Sequence, residues 1–197
     1  MTLKLSFLAI AAFMLAACVQ TPQPAPETKR KSFTSVSTSA ADFAPKAGQR
    51  FAWYTPGVTW ATTGPTELNA ELEAVIKSTV RAELVNRGYV VTQDTAAADF
   101  IIGLVLTTND YNHADDFAQY FNLNANMRSE GSEPIVKALM GVVDGRFAGI
   151  TPPPPQALVW KADLETEILE AGTEKAIRLA RAKVLTSRLL DSLPKGE

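Results

Sequence analysis

The stretch Phe100-Ile101-Ile102-Gly103-Leu104-Val105-Leu106 restricts the fold more than any other part of the chain. An apolar run this short, with turn residues before it, suits a strand covered on both faces. In a strand, Phe100, Ile102, Leu104 and Leu106 share one side, and Ile101, Gly103 and Val105 share a slimmer apolar side. The run predicts a central strand with helices over its Phe100 side.

The sequence offers two helices long enough to provide that cover. In the first, Thr66 can cap the start and Glu67 suits the positive end of the helix dipole. Leu68, Leu72, Val75, Ile76, Val80 and Leu84 recur at helical spacing. The pairs Glu73/Lys77 and Glu83/Arg87 fall on the wet side. Gly88 ends this helix, and Tyr89 can fold back onto Leu84 as in a Schellman cap. The second helix opens at Gly172-Thr173, with Glu174 in its first turn, and Pro194 marks its end. Ile177, Ala180, Val184, Leu185 and Leu189 are expected to point inward. Arg178, Arg181 and Arg188 are expected on the outer side, where an arginine row is ordinarily solvated but could meet an acidic partner or anionic lipid.

Further strands are expected at 32–38, at Arg50–Tyr54 before the Pro56-Gly57 break, and at Tyr89–Thr92. Leu158–Ile168 alternates most cleanly. Leu158, Trp160, Ala162, Leu164, Thr166 and Ile168 lie on one side, and Lys161, Asp163, Glu165 and Glu167 on the wet side. Between them, Asn109–Gln156 reads as irregular. It contains a short helix over Asp115–Leu123, another over Ser132–Val143, a flexible glycine-containing loop around Gly141, Gly145 and Gly149, and a four-proline spacer. The expected fold class is α+β: a mainly antiparallel sheet with two long helices packed on one face, plus this irregular middle segment.

The N-terminus concerns location more than fold. Lys4 is followed by an apolar stretch, Leu5–Leu15, too short to span a bilayer, which takes about 20 residues. The stretch closes on Leu15-Ala16-Ala17-Cys18, which resembles the lipobox of bacterial lipoprotein precursors. That resemblance implies cleavage before Cys18 and acylation of it, and several acyl chains anchor stably where one would not. Val19, rather than Asp, follows the cysteine, and the resemblance then favours the periplasmic leaflet of the outer membrane. Residues 1–17 are thus expected as signal peptide. Residues 18–31 are expected as the lipidated cysteine and a tether stiffened by Pro22, Pro24 and Pro26, and 32–194 as one domain.

Ala41-Asp42-Phe43, Phe51-Ala52-Trp53, a helix ending Arg87-Gly88-Tyr89, Ala98-Asp99-Phe100-Ile101 and Ala157-Leu158-Val159-Trp160 are further short motifs. Together they resemble the pattern of the domain of unknown function 4136 (DUF4136) family of envelope lipoproteins. The resemblance covers most of 32–193 and implies that family's fold. It also implies further strands in the middle segment, where the residues read differently, and it brings no catalytic residues.

Composition excludes more than it assigns. A net charge of −2 and a pI near 5.5 offer no basic surplus for nucleic acid. Cys18 is the single cysteine and His113 the single histidine, so no intrachain disulfide, Cys-based zinc site or His-pair motif can form. Asp110, Asn112, His113, Asp115 and Asp116 form a dense polar cluster, but Ala114 and Asp115 break an EF-hand pattern, and Asp115 suits a helix cap. No Ser/His/Asp order, P-loop or G-x-G-x-x-G is present, so no enzyme, cofactor or metal is expected. Trp53 and Trp160 read as core, and Trp60, between Thr59 and Thr62 in a loop, as the best surface contact. The expected function is a lipid-anchored, non-catalytic binding or scaffold module of the envelope, partnered by the membrane through Cys18 and by an envelope component. The alternative is a small-molecule or glycan-binding protein with a cleft near Trp60. A pocket with converging polar groups would favour the latter.

Overall fold

The chain's alternating and helical patterns become β1 (Phe33–Ser39), β2 (Arg50–Ala61), α1 (Glu67–Asn86), β3 (Val90–Thr92), β4 (Phe100–Thr108), β5 (Ile135–Asp144), β6 (Leu158–Glu167) and α2 (Lys175–Leu189). The structure is a computed structural model and describes residues 33–61, 67–108, 135–150, 153–169 and 172–197. All of these lie in one compact unit, Lys31–Glu197. The signal segment, Cys18, the tether, Thr66, the polar cluster and the Asp115–Leu123 helix lie outside the described residues.

The strands form one six-stranded sheet in the order β1-β6-β5-β4-β2-β3. Pairings β1/β6, β6/β5 and β5/β4 are antiparallel, whereas β4/β2 and β2/β3 are parallel. The mainly antiparallel expectation therefore holds in part, and the sheet is mixed. The cause is α1, which follows β2 and carries the chain back along the sheet, so β3 and β4 start at the same end as β2.

Both long helices pack on one sheet face, as expected. Phe100, Ile102 and Leu104 of β4 join Ile76, Val80 and Leu84 of α1 in the main core, with Trp160 and Leu164 of β6 and Leu189 of α2. Burying each such side chain contributes about 1.5–3 kcal/mol before chain entropy is counted. On the opposite face Ile101 and Val105 meet Ala52, Leu139 and Val143, with Phe147 and Ala157 from two short 3₁₀ turns. The α1 terminus is a Schellman cap. Tyr89 N donates to Leu84 O at 3.0 Å and Gly88 N to Val85 O at 2.9 Å, with Gly88 at φ +91°.

The helix expected over Ser132–Val143 is overturned across its described part, since Ile135–Asp144 is strand β5, at the heart of the sheet. Ala138, Met140 and Val142 enter the helix-side core while Leu139 and Val143 enter the other. Burial on both faces erases the alternation that would have marked a strand, and the apolar spacing that remains imitates a helix. Gly141 belongs to β5 and pairs with Gly103, not to a flexible loop. Gly145 caps the strand end so closely that a Cβ there would fall 2.1 Å from Ala98 O. The strands that the DUF4136 resemblance implied for this segment are represented by β5.

Pro56-Gly57 does not end β2 either, because the strand runs on to Ala61. Trp53 pairs with Ile102 and Val58 with Leu104, so residues 54–57 bulge opposite Gly103. Among the described residues β3 pairs only with Arg50–Ala52, so Pro56 lies beyond the β2/β3 ladder and within the irregular stretch of the β2/β4 ladder, where proline is tolerated. Trp60 therefore sits in a strand rather than a loop.

Candidate functional site

Where β2, β4 and β6 finish and β5 begins, the end of the sheet faces the N-terminal half of α1 and residues along α2. A cavity of about 330 Å³ lies between them, at the low end of the range typical of small-molecule sites. The sheet contributes Trp60, Leu104, Leu106, Val136, Ala138 and Leu164 to its wall. Asn69, Leu72 and Ile76 come from α1, and Ala182, Leu185 and Leu189 from α2. Ile168 and Leu169, just beyond β6, complete the apolar lining.

The charged groups gather on the β6–α2 side. Arg178, Arg181 and Glu167 all line the cavity. Arg181 Nη2 donates to the Thr166 hydroxyl and, at 2.9 Å, to the Glu167 carbonyl. Arg178 Nε donates to Thr173 O at 3.1 Å. Burial pushes the Arg181 guanidinium below its ordinary pKa, and the Glu167 carboxylate opposes that shift. Among the described residues, Arg181 Nη1 and Trp60 Nε1 are buried donors without a hydrogen-bond partner. Thr107 Oγ1 and Trp160 Nε1 are likewise unpartnered, but neither residue lines the cavity.

This arrangement differs from the expected helix faces. Arg178 and Arg181 face the sheet end with Leu185 and Leu189, while Ile177 and Val184 are 51% and 56% exposed. Positions 178, 181, 185 and 189 satisfy helical spacing as well as 177, 180 and 184 do, so periodicity alone leaves the choice open. The sheet end decides it, because the Thr166 hydroxyl and the Glu167 carbonyl offer acceptors that only a long cationic side chain can reach. Trp60, Arg178 and Arg181 thus come together around one cavity. Arg188 stands apart, exposed and paired with Asp191 at 2.9 Å. Sequence reasoning missed Glu167 and Asn69 as lining residues. Thr166, a polar residue on the buried face of an alternating strand, was the available signal.

A second polar feature lies on the opposite sheet face. Lys137 is buried and pairs with Glu165 at 2.9 Å across β5/β6. Burial raises the pKa of the neighbouring Asp163, opposed by Lys161. Among the described residues no group of three or more His, Cys, Asp or Glu could hold a metal, and no helix is long and apolar enough to cross a membrane.

Among solved structures, a DUF4136 family protein from Bacteroides thetaiotaomicron aligns with a TM-score of 0.51 at 12% identity, over 81% of this chain and 95% of that one. The chain has a DUF4136-like fold. A PelC dodecamer from Paraburkholderia phytofirmans aligns with a TM-score of 0.44 at 18% identity, over 82% of this chain and 98% of that one. No protein-family model matches the sequence, and no curated protein matches it. In this DUF4136-like fold the cavity lies at the end of the sheet where β2 and β4, parallel because of the crossover through α1, both finish.

Proposed function

We propose that this protein is a non-catalytic, lipid-anchored envelope lipoprotein of the DUF4136 type whose domain binds a small, mostly apolar ligand beside Trp60. The observation that carries the binding reading is the cavity itself, concave and lined mainly by aliphatic side chains with a few charged groups on one side. A glycan suits this lining poorly, since its buried hydroxyls would need more polar partners than the walls supply. The anchor and the outer-membrane address rest on Leu15-Ala16-Ala17-Cys18 and Val19. The non-catalytic reading rests on the absence of nucleophile, P-loop and dinucleotide motifs from the sequence.

Titration with N-phenyl-1-naphthylamine, a neutral apolar fluorophore, tests the cavity. The protein should bind it at saturable stoichiometry, and Ala182→Phe, which places a ring in the cavity, should abolish binding. A signal that is absent, or unchanged in the folded variant, refutes the ligand-binding reading. The anchor is tested separately: Cys18→Ser should move the protein from the membrane to the soluble fraction of cells, and continued membrane association sinks that part.

A further inference from the structure

We propose that β1 is a docking edge for a second copy of this chain, and that two copies join their sheets by antiparallel β1–β1 pairing centred on Val36. The pairing does not depend on the cavity. Strand β1 closes one end of the sheet and, among the described residues, pairs only with β6. All seven of its residues are exposed, Phe33 and Val36 at 41% and 58%, so no layer covers either of its faces. Edge strands are ordinarily guarded against further pairing by shortness, charge, proline or a bulge. At the other end of the sheet β3 is three residues long. β1 has none of these guards: it carries no charge and no proline, and it keeps one unbroken register with β6 from Phe33 to Ser39.

Backbone parity and side-chain order select the same register. Ala40 N donates to Val159 O at 2.8 Å, one step beyond the Ser39/Trp160 pair, so the even-numbered residues of β1 turn N–H and C=O toward β6. Gly145 N, which donates to Asp99 O at 2.7 Å, gives the same parity when followed through β5 and β6. Phe33, Ser35, Ser37 and Ser39 therefore direct theirs to the free edge. About a two-fold axis at Val36, Phe33 meets Ser39 of the second copy and Ser35 meets its Ser37. Outward groups then face outward groups along the whole strand and form about eight hydrogen bonds. The stretch Thr34-Ser35-Val36-Ser37-Thr38 also reads the same in both directions. The same register thus sets Thr against Thr, Ser against Ser and Val against Val, the self-match that a two-fold contact requires. A strand from a different protein could meet the backbone groups, but only a second copy matches this order.

Disulfide trapping tests the register. It uses the full-length chain with Cys18→Ser, which leaves an introduced cysteine as the single thiol. In the paired edge Val36 forms a non-hydrogen-bonded pair with its own copy, about 4.5 Å apart at Cα and within the reach of a disulfide. Thr34 and Thr38 each lie four residues out of step with their own copies, about 13 Å along the strand. Under mild oxidation Val36→Cys should therefore form several-fold more covalent dimer than Thr34→Cys or Thr38→Cys alone. A mixture of Thr34→Cys and Thr38→Cys should recover a yield like that of Val36→Cys, because those two positions face each other. Adding Ser35→Lys and Ser37→Lys to the Val36→Cys chain sets like charges opposite one another on exposed positions, and should lower the yield several-fold without unfolding the protein. Absence of dimer from Val36→Cys overturns the proposal. So do equal yields from the three single variants, the mark of random collision, and an undiminished yield from the folded lysine variant.

Discussion

Tyr89 shows how one side chain ties two distant parts of this chain together. Its hydroxyl donates to Pro194 O at 2.8 Å, and beside it Arg87 donates to Leu190 O at 2.8 Å and Leu193 O at 3.3 Å. The segment after α2 is thereby clamped onto the end of α1. Burial, opposed by the Arg87 charge, pushes the phenol from its ordinary 10.0 up to about 12. A pKa raised on folding means that this contribution is complete below pH 10 and is lost as pH climbs toward about 12. Tyr89→Phe should cost about 1 kcal/mol at neutral pH and flatten the stability decline over that alkaline window, read by urea unfolding at stepped pH. Asp163 titrates in the other region. Its carboxyl pKa is also raised, by burial, so the folded state is favoured when it is protonated and loses that advantage as pH rises through the raised value. Asp163→Asn should therefore stabilise the protein at pH 7, with the gain disappearing in acid below the ordinary carboxylate value. Equal gains at both ends would contradict the burial cause.

At the level of elements, α2 is the informative case. Its apolar residues are split between two stripes, and the fold buries the one that carries arginines. Val184→Glu should change stability by less than about 0.5 kcal/mol, as an exposed substitution does. Leu189→Ala, 2% exposed in the helix-side core, should cost about 2–5 kcal/mol. Thermal melts of the two variants distinguish this orientation from one with Val184 inward, for which the order would invert. Strand β5 makes the complementary point. Buried on both sides, it carries no period-2 signal, so its identity depends on pairing with β4 and β6 over almost its whole length. Helix α1, half-buried and closed by a Schellman cap, was legible in its apolar spacing and its Gly88 stop.

For the molecule as a whole, the cavity exists because three layers of choice coincide. The crossover through α1 makes β2 and β4 parallel and places their ends together, the β2 bulge carries Trp60 to that end, and the turn of α2 brings Arg178 and Arg181 over it. An unfilled apolar cavity forfeits packing, so Ala182→Phe should raise thermal stability, by about 0.5–2 kcal/mol, in the same variant expected to lose fluorophore binding. Differential scanning calorimetry with and without the fluorophore separates the two effects. Destabilisation by the added ring would show that the space is already occupied by packed side chains.

The sequence by itself determined the elements whose burial is one-sided or whose ends are punctuated: α1 with its Schellman cap, the alternating β6, and the apolar β4. It also determined that Phe100, Ile102 and Leu104 of β4 and Trp160, Ala162 and Leu164 of β6 reach the helix-side core, because strand parity fixes a face. Leu158, expected on that face, packs on the opposite one because a bulge at Val159 breaks the parity. Only the tertiary structure decided the sheet's mixed polarity, the strand nature of Ile135–Asp144, and the faces of α2. Each of those depends on a partner far away in the chain: a neighbouring strand that completes the ladder, or a carbonyl and a hydroxyl at the end of β6 that draw Arg181 inward. Local pattern cannot register such partners, and the cavity beside Trp60 is made of them.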